Sequence, residues 1–292
     1  MRATFSAPPA EKDYGASWNM DGTILTPDSR PAEDFVIGQG WERYGAEEHA
    51  IWRTLFERQS ALLRGRACTE FLDGLAATGA AADGIPDFER ASDLLEKATG
   101  WRIAAVAGLV PDDVFFWHLA NRRFPVTNWI RAPEQMDYLE EPDVFHDFFG
   151  HVPMLMNPVF ADYMRAYGQG GLKALRQGAL SYLARLYWYT VEFGLIRGGD
   201  GLRIYGSGIV SSRAESVYCL ESPEPNRIAF DLLRVMQTCY RIDDLQTVYF
   251  AIDDFQQLFD ATRPDVTPYY EALRKRPDLA PEAVLPSDIL VP

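Results

Sequence analysis

The sequence predicts a mainly α-helical protein with a few short β-strands, built around a central metal pocket. Three observations predict it. Apolar residues recur mostly at helical spacing, no regular β-α-β alternation appears, and two of the chain's four histidines sit five residues apart in PDVFHDFFGHVPML. With 292 residues, 47% of them hydrophobic, the chain can bury a sizeable core without disulfide staples.

Residues 1–40 are rich in Pro, Gly, Asp and Ser without a sustained period, which predicts an irregular N-terminal arm ordered only by contact. From Glu42 to about Arg66, Ile51, Trp52, Leu55, Phe56, Leu62 and Leu63 recur as on one helix face, with His49 on its wet side. Gly74 to Pro86 (GLAATGAAADGIP) reads as a loop. A helix then runs from about Asp87 to a left-handed cap at Gly100. Pro111-Asp112-Asp113 opens another through about Asn121, and VTNWIR (126–131) reads as a short strand.

Pro142-Asp143 starts a helix expected to end at Gly150, and Asn157-Pro158 supplies a cap and first helical residue for the next. Residues from about 178 to 197 read as one long, aromatic, buried helix. Leu202–Ser212 and Gln246–Ile252 read as short strands, with helices near 227–240, 253–262 and 267–276. A Pro-rich tail, 277–292, closes the chain.

Charge narrows the function classes. Acidic side chains outnumber basic ones 42 to 28, a net −14, and the densest basic cluster is only Arg274-Lys275-Arg276. Such a surface repels phosphate backbones and anionic lipid, so no nucleic acid and no membrane partner is expected. Three cysteines, none in a C-x-x-C pair, point to a reducing compartment. Residues 1–19 carry no apolar signal core, and the longest nearly apolar run, Ile103–Val110, falls far short of the about 20 residues that span a bilayer. A cytoplasmic protein is expected.

His146 and His151 are the first candidates for chemistry. Five residues on a regular α-helix separate two side chains by about 140°, so convergence is expected only if the helix breaks between them, at Gly150, with Pro153 stiffening the exit. The plain alternative is one histidine in the core and one in solvent. Glu192, in LARLYWYTVEFGLIRG, has apolar Trp188, Tyr189, Leu195 and Ile196 three and four residues to either side. A carboxylate on such a face costs several kcal/mol unless it meets a metal or an arginine, here Arg185 or Arg197.

Two imidazoles and a carboxylate form the facial triad of non-haem Fe(II) oxygenases. The same ligands serve hydrolytic zinc. The zincin motif H-E-x-x-H needs a spacing of four with Glu beside the first histidine, whereas here the spacing is five and the neighbour is Asp147, which ranks a zinc hydrolase lower. A third reading is a non-catalytic binding protein with Glu192 tied to Arg185.

Three stretches, EPDVFHDFFGHVPML (141–155), LYWYTVEFGL (186–195) and YGSGIVSSRAE (205–215), resemble, in order and spacing, the iron and active-site motifs of the tetrahydropterin-dependent aromatic amino acid hydroxylases, most closely the short bacterial members. Similarity runs from about Val106 to Phe259. The resemblance implies a single catalytic domain over 1–292 and a non-haem Fe(II) held by His146, His151 and Glu192. It implies a tetrahydropterin cofactor and a phenylalanine 4-monooxygenase reaction that turns L-phenylalanine and O2 into L-tyrosine. Tryptophan hydroxylation is the alternative within the family.

By the same resemblance Arg131 binds the substrate carboxylate, Tyr138 and Trp188 line the pocket, and Gly208 and Ser211 form a turn that approaches the substrate and supports a liganding histidine. Phe115 stacks on the pterin beside backbone from Gly108, Leu109 and Val110. Asp147 stands where animal members carry Glu, one methylene longer, so its contact with the pterin is expected to run through water. Ile242 falls where tyrosine hydroxylases place an acidic residue, which disfavours that activity. Neither a regulatory domain nor a tetramerisation helix is recognised, so a monomer is expected, functionally linked to enzymes that recycle the oxidised pterin.

Overall fold

A computed structural model describes residues 25–292 apart from 138, 140 and 264. Helix α1 (Ala46–Leu62) begins where the Glu48 carboxylate accepts the Gly45 N–H at 2.7 Å, and it buries Ile51, Trp52, Leu55 and Gln59. It is shorter than the predicted 42–66, and Trp41–Arg43 forms a separate 3-10 turn. His49 is not a wet residue. Its Nδ1 accepts the Ile85 N–H at 3.1 Å and its ring packs against Trp41 and Tyr44, tying α1 to the loop that follows α2.

Helix α2 (Thr69–Ala77) takes the first part of the segment expected to be a loop. Gly74 sits in it because of a close approach: a Cβ there would lie 2.1 Å from the Pro153 carbonyl oxygen. Helix α3 (Phe88–Thr99) agrees with its prediction, since Asp87 Oδ1 accepts the Glu89 and Arg90 N–H groups and Gly100 ends it at φ 77°. Strand β1 (Arg102–Val106), unforeseen, pairs in parallel with β2 (Arg123–Thr127) across α4 (Asp112–Ala120). Strand β2 therefore lies several residues before the predicted 126–131.

The next segments depart from α-helix where it matters. Phe145–His151 is a π-helical turn, followed by a 3-10 turn, Val152–Met156. Helix α5 (Pro158–Arg176) is capped by Asn157 Oδ1, as predicted. Helix α6 (Leu180–Tyr187) runs into a second π-helical turn, Trp188–Glu192, and the chain then enters β3 (Leu195–Gly198). The long helix predicted to 197 thus stops at Glu192. The strand predicted for 202–212 is only β4 (Gly201–Ile204), after which the chain folds into the short helix α7 (Ser207–Val210) and α8 (Arg213–Glu221).

Beyond α8, β5 (Asn226–Ala229) and α9 (Leu232–Gln237) replace the single helix predicted for 227–240. Strand β6 (Val248–Ile252) and helices α10 (Phe255–Thr262) and α11 (Thr267–Leu273) fall close to prediction. The sheet order is β4-β3-β6-β5, with β3–β4 antiparallel and β3–β6 and β5–β6 parallel. Helices dominate, and the strands stay short.

The first π turn is pinned by its phenylalanines. Phe145, Phe148 and Phe149 are fully buried, Phe145 stacks on Phe149 at 4.7 Å, and Trp52 meets Phe145 edge-on at 5.5 Å. Burying each such ring is worth about 1.5–3 kcal/mol, and it fixes the rotation of the turn that carries His146 and His151. The same core is continuous from Leu25 to Val291. At its ends, the Trp117 indole donates to the Ser29 carbonyl, and residues of the Pro-rich tail form bridges Thr238↔Leu279 and Ile228↔Leu290. Residues 1–24 of the predicted arm lie outside the described residues. Among the described residues, no helix is long and apolar enough to cross a membrane.

Candidate active site

A π-helical turn hydrogen-bonds residue i to i+5, so residues five apart stand one turn above each other. That geometry brings His146 and His151 together, with ring centroids 5.1 Å apart and no helix break at Gly150. The expected break is corrected to a widened turn. Five residues on a π turn present side chains much as four do on an α-helix, so the spacing by itself does not disfavour zinc. What still distinguishes the site from a zincin is the neighbour of the first histidine, Asp147, whose Oδ2 is turned away to accept the Thr127 N–H and hydroxyl, both at 2.9 Å.

Glu192 arrives from the second π turn, where the Phe193 N–H donates to the Trp188 carbonyl five residues back. Its Oε1 lies 3.2 Å from His151 Nε2 and its Oε2 3.7 Å from His146 Nε2. All three ligand atoms fall within 4.8 Å of one another, the one such convergence of His, Cys, Asp or Glu side chains among the described residues. The arginine alternatives do not hold. Arg185 is paired with Asp278 at 2.8 Å and Arg197 with Asp253 at 3.0 Å.

Protonation suits a metal. Burial works against the charge on Glu192, but the two imidazoles and the Ser207 hydroxyl, 2.8 Å from Oε2, hold its carboxyl at about 2. Burial pushes the His146 imidazolium down, so the ring is neutral near pH 7. Its tautomer follows from a count of hydrogens. The Ser211 hydroxyl donates its only hydrogen to the Ser207 carbonyl at 2.7 Å, so at 2.9 Å from His146 Nδ1 it must accept, which puts the proton on Nδ1 and a lone pair on Nε2 facing Glu192. His151 is held between Phe124 (4.8 Å) and Tyr187 (6.2 Å). A cation at ordinary metal–ligand distances of about 2 Å fits this donor set.

The other predicted residues have the following contacts. Arg131 is buried and gripped by Asp143: Nε donates to Oδ2 and Nη2 to Oδ1, both at 2.8 Å, and its backbone N–H to Oδ2 at 3.0 Å. Asp143 leaves Nη1 unengaged, and its Oδ1 also accepts the His146 N–H. Gly208 lies against the carboxylate, where a Cβ would sit 3.2 Å from Glu192 Oε2. Trp188 stacks on Tyr240 at 4.4 Å and 15°.

Phe115 meets Tyr187 edge-on at 6.0 Å, one ring removed from His151. Gly108, Leu109 and Val110 form the loop leading into α4, with Leu109 73% exposed. Ile242 is not enclosed: it is 46% exposed on the turn between α9 and β6. Tyr138 lies outside the described residues.

Sequence reasoning missed Asp143, Thr127, Ser207 and Tyr187. Asp143 carried a usable signal, an acidic residue three positions before His146 at the start of a helical turn. Ser207 stood inside the YGSG stretch. Tyr187 stood inside LYWYTVEFGL, next to Trp188, and Thr127 carried no signal, because its partner Asp147 is 20 residues away.

The folded arrangement gathers two histidines and one glutamate, a set able to hold one metal ion, within a mainly helical domain. Residues 34–278 match the family model of biopterin-dependent aromatic amino acid hydroxylases, and the chain belongs to that family. A phenylalanine-4-hydroxylase of Ralstonia nicotianae is 62% identical over 272 residues, covering 93% of this chain and 85% of that protein. The crystal structure of Chromobacterium violaceum phenylalanine hydroxylase with iron and phenylalanine bound is 58% identical, covers 90% of this chain and 96% of its own, and superimposes with a TM-score of 0.86. A structure of the same enzyme with iron(III) and 7,8-dihydrobiopterin matches equally, at 58% and 0.86.

Proposed function

We infer that this chain is a phenylalanine 4-monooxygenase that uses Fe(II) and a tetrahydropterin to convert L-phenylalanine and O2 into L-tyrosine. The observation that carries the reading is the convergence of His146, His151 and Glu192 in a chain so similar to an enzyme solved with iron and phenylalanine. Ferrous iron and the reduced pterin supply the oxygen activation, one atom going to the aromatic ring and the other to the pterin.

The chain's own residues bind, orient and exclude water. His146, His151 and Glu192 would hold the iron, with Ser211 fixing the His146 tautomer and Ser207 the carboxylate. His146 is the more open ligand, with 21% of its side chain exposed against 5% for His151, so substrates approach on its side. Arg131, oriented by Asp143, offers Nη1 to the amino acid carboxylate. Trp188, with Tyr240 stacked behind it, walls the ring of the substrate and keeps the pocket dry. Phe115 and the Gly108–Val110 backbone receive the pterin next to Tyr187, while Thr127 keeps Asp147 at the edge of that space. Burial pushes the Asp147 carboxyl up, and its side chain, one methylene shorter than that of Glu, reaches the pterin through water.

The protein acts as a cytoplasmic monomer, and pterin-recycling enzymes complete its cycle; its tail lies against the body through bridges to Ile228 of β5 and to Thr238 just after α9. The test is direct. Purified protein loaded with ferrous iron, given a tetrahydropterin, oxygen and phenylalanine, is expected to release tyrosine, and faster than it oxidises tryptophan. No tyrosine from folded, iron-loaded protein overturns the reading, and a scattering mass above that of one chain overturns the monomer.

A further inference from the structure

One buried acid close to the site has no part in the chemistry above. Glu215, on α8, is 4% exposed, and its Oε1 accepts the Gln246 backbone N–H at 3.2 Å and the Tyr249 hydroxyl. Gln246, 3% exposed, is itself a junction. Its Oε1 accepts the Trp188 indole N–H at 2.9 Å, and its Nε2 donates to the carbonyls of Arg241 at 2.9 Å and Asp244 at 3.2 Å. One carboxylate oxygen therefore fixes the backbone of Gln246, and Gln246 fixes both the curl of residues 241–246 and the Trp188 ring.

A buried carboxyl without a basic partner is costly, and an aliphatic residue would be the cheaper way to fill this place. Its retained hydrogen bonds go to the segment behind the substrate wall. Glu215 also lies four residues after Ser211 on the chain, so the short stretch from the end of α7 into α8 joins the support of His146 to the support of Trp188.

We propose that Glu215 is a positioning residue for the aromatic amino acid: through Gln246 it sets the height and tilt of the Trp188–Tyr240 pair against which the substrate ring rests. The proposal deepens the hydroxylase reading and rests on it for the role of Trp188. Loss of Glu215 would let Gln246 and the 241–246 turn drift, loosening the wall for the amino acid while leaving the triad and the pterin side intact. Glu215→Gln keeps an acceptor oxygen at the same place.

The experiment measures wild type, Glu215→Gln, Glu215→Leu, Trp188→Phe and the Glu215→Leu/Trp188→Phe double variant, each first checked for iron content. Glu215→Leu is expected to raise the phenylalanine KM at least fivefold with kcat and pterin KM within twofold, and Glu215→Gln to restore it. In Trp188→Phe, which lacks the indole donor, adding Glu215→Leu is expected to change KM by less than twofold. The wild-type minus Trp188→Phe fluorescence spectrum, which isolates Trp188, is expected to shift in the Glu215→Leu background. An unchanged KM in folded Glu215→Leu, an equal rise in pterin KM, or independent effects in the double variant overturns the proposal. Glu215→Asp, which withdraws the carboxylate by one methylene from the Gln246 N–H, serves with the same outcomes if Glu215→Leu does not fold. Failure of wild type to make tyrosine defeats the hydroxylase reading instead, and the fluorescence comparison then still decides whether Glu215 holds Trp188.

Discussion

Ser211 Oγ lies 2.9 Å from His146 Nδ1 with its own hydrogen committed to the Ser207 carbonyl, so a serine 65 residues away in sequence decides which nitrogen of His146 can bind a cation. Removing an outer partner of this kind costs about 10–100-fold in metal affinity or activity. Ser211→Ala is therefore expected to lower iron affinity by that factor with little loss of fold. Equilibrium dialysis against iron checks it, and unchanged affinity would mean that packing alone holds the ring.

Glu192 is the triad's only negative charge, and it is kept ionised despite its apolar neighbours. Glu192→Gln preserves shape and removes that charge. Iron affinity is expected to fall by more than the about 100-fold upper end seen for outer partners. Metal content after dialysis, with circular dichroism to confirm folding, gives the answer.

Arg131 and Asp143 make a buried, two-pronged ion pair. Leaving one charge of such a pair alone costs about 3–5 kcal/mol, so Asp143→Ala is expected to destabilise the protein by that amount in urea titrations. Arg131→Lys keeps the charge but not the fork. Losing one charge-assisted hydrogen bond of about 1.5–3 kcal/mol should raise the phenylalanine KM about 10- to 100-fold. An unaltered KM would remove Arg131 from substrate binding.

Asp288 supplies a pH test away from the site. Burial alone would raise its carboxyl, yet Arg234 at 2.9 Å and the Leu285 N–H hold it below the usual carboxylate range. A depressed folded-state value adds stability that is complete above the unfolded value, about 4, and fades as pH falls through the folded one. Wild type should thus exceed Asp288→Asn in stability at pH 7, with the gap closing below about pH 4. A gap that stays constant to pH 2 would contradict this.

Gly206 tests the close packing around Glu192. A Cβ at this position would stand 2.4 Å from the Glu192 carbonyl oxygen and 2.5 Å from the Gly194 nitrogen, both backbone atoms with no freedom to yield. Gly206→Ala is expected to cost about 1–3 kcal/mol or more and to displace the second π turn. Thermal unfolding together with iron content measures both.

Much of this was legible in the sequence, and the errors have physical causes. Caps announced α3 and α5, because Asp87 and Asn157 act on amides two and three residues away. The turn type did not announce itself: whether residues 145–151 hydrogen-bond at four or five depends on where Trp52 and Phe149 pack, which no local pattern encodes. So the two histidines singled out in the sequence do converge, but on a π turn and not across a helix break. Strand β4 was overextended because Ile209 and Val210 look β-prone, while the close approach of Gly206 to Gly194 folds that stretch into α7. The Arg131–Asp143 fork and the Glu215–Gln246 contact span 12 and 31 residues and exist only once the chain is folded.

The widened turn between His146 and His151 is also a supernumerary residue. An α-helix would present the same pair at a separation of four, so the site stores one residue of slack between its two nitrogen ligands. Shortening the chain by one within 147–150 would let that turn relax to α-helix with both imidazoles still facing Glu192. Shortening it by one just before His146 would rotate both by about 100° and carry them away together. The metal centre is thus indifferent to length at one place and intolerant of it a residue or two upstream, a difference that the iron content of the two deletion variants would display.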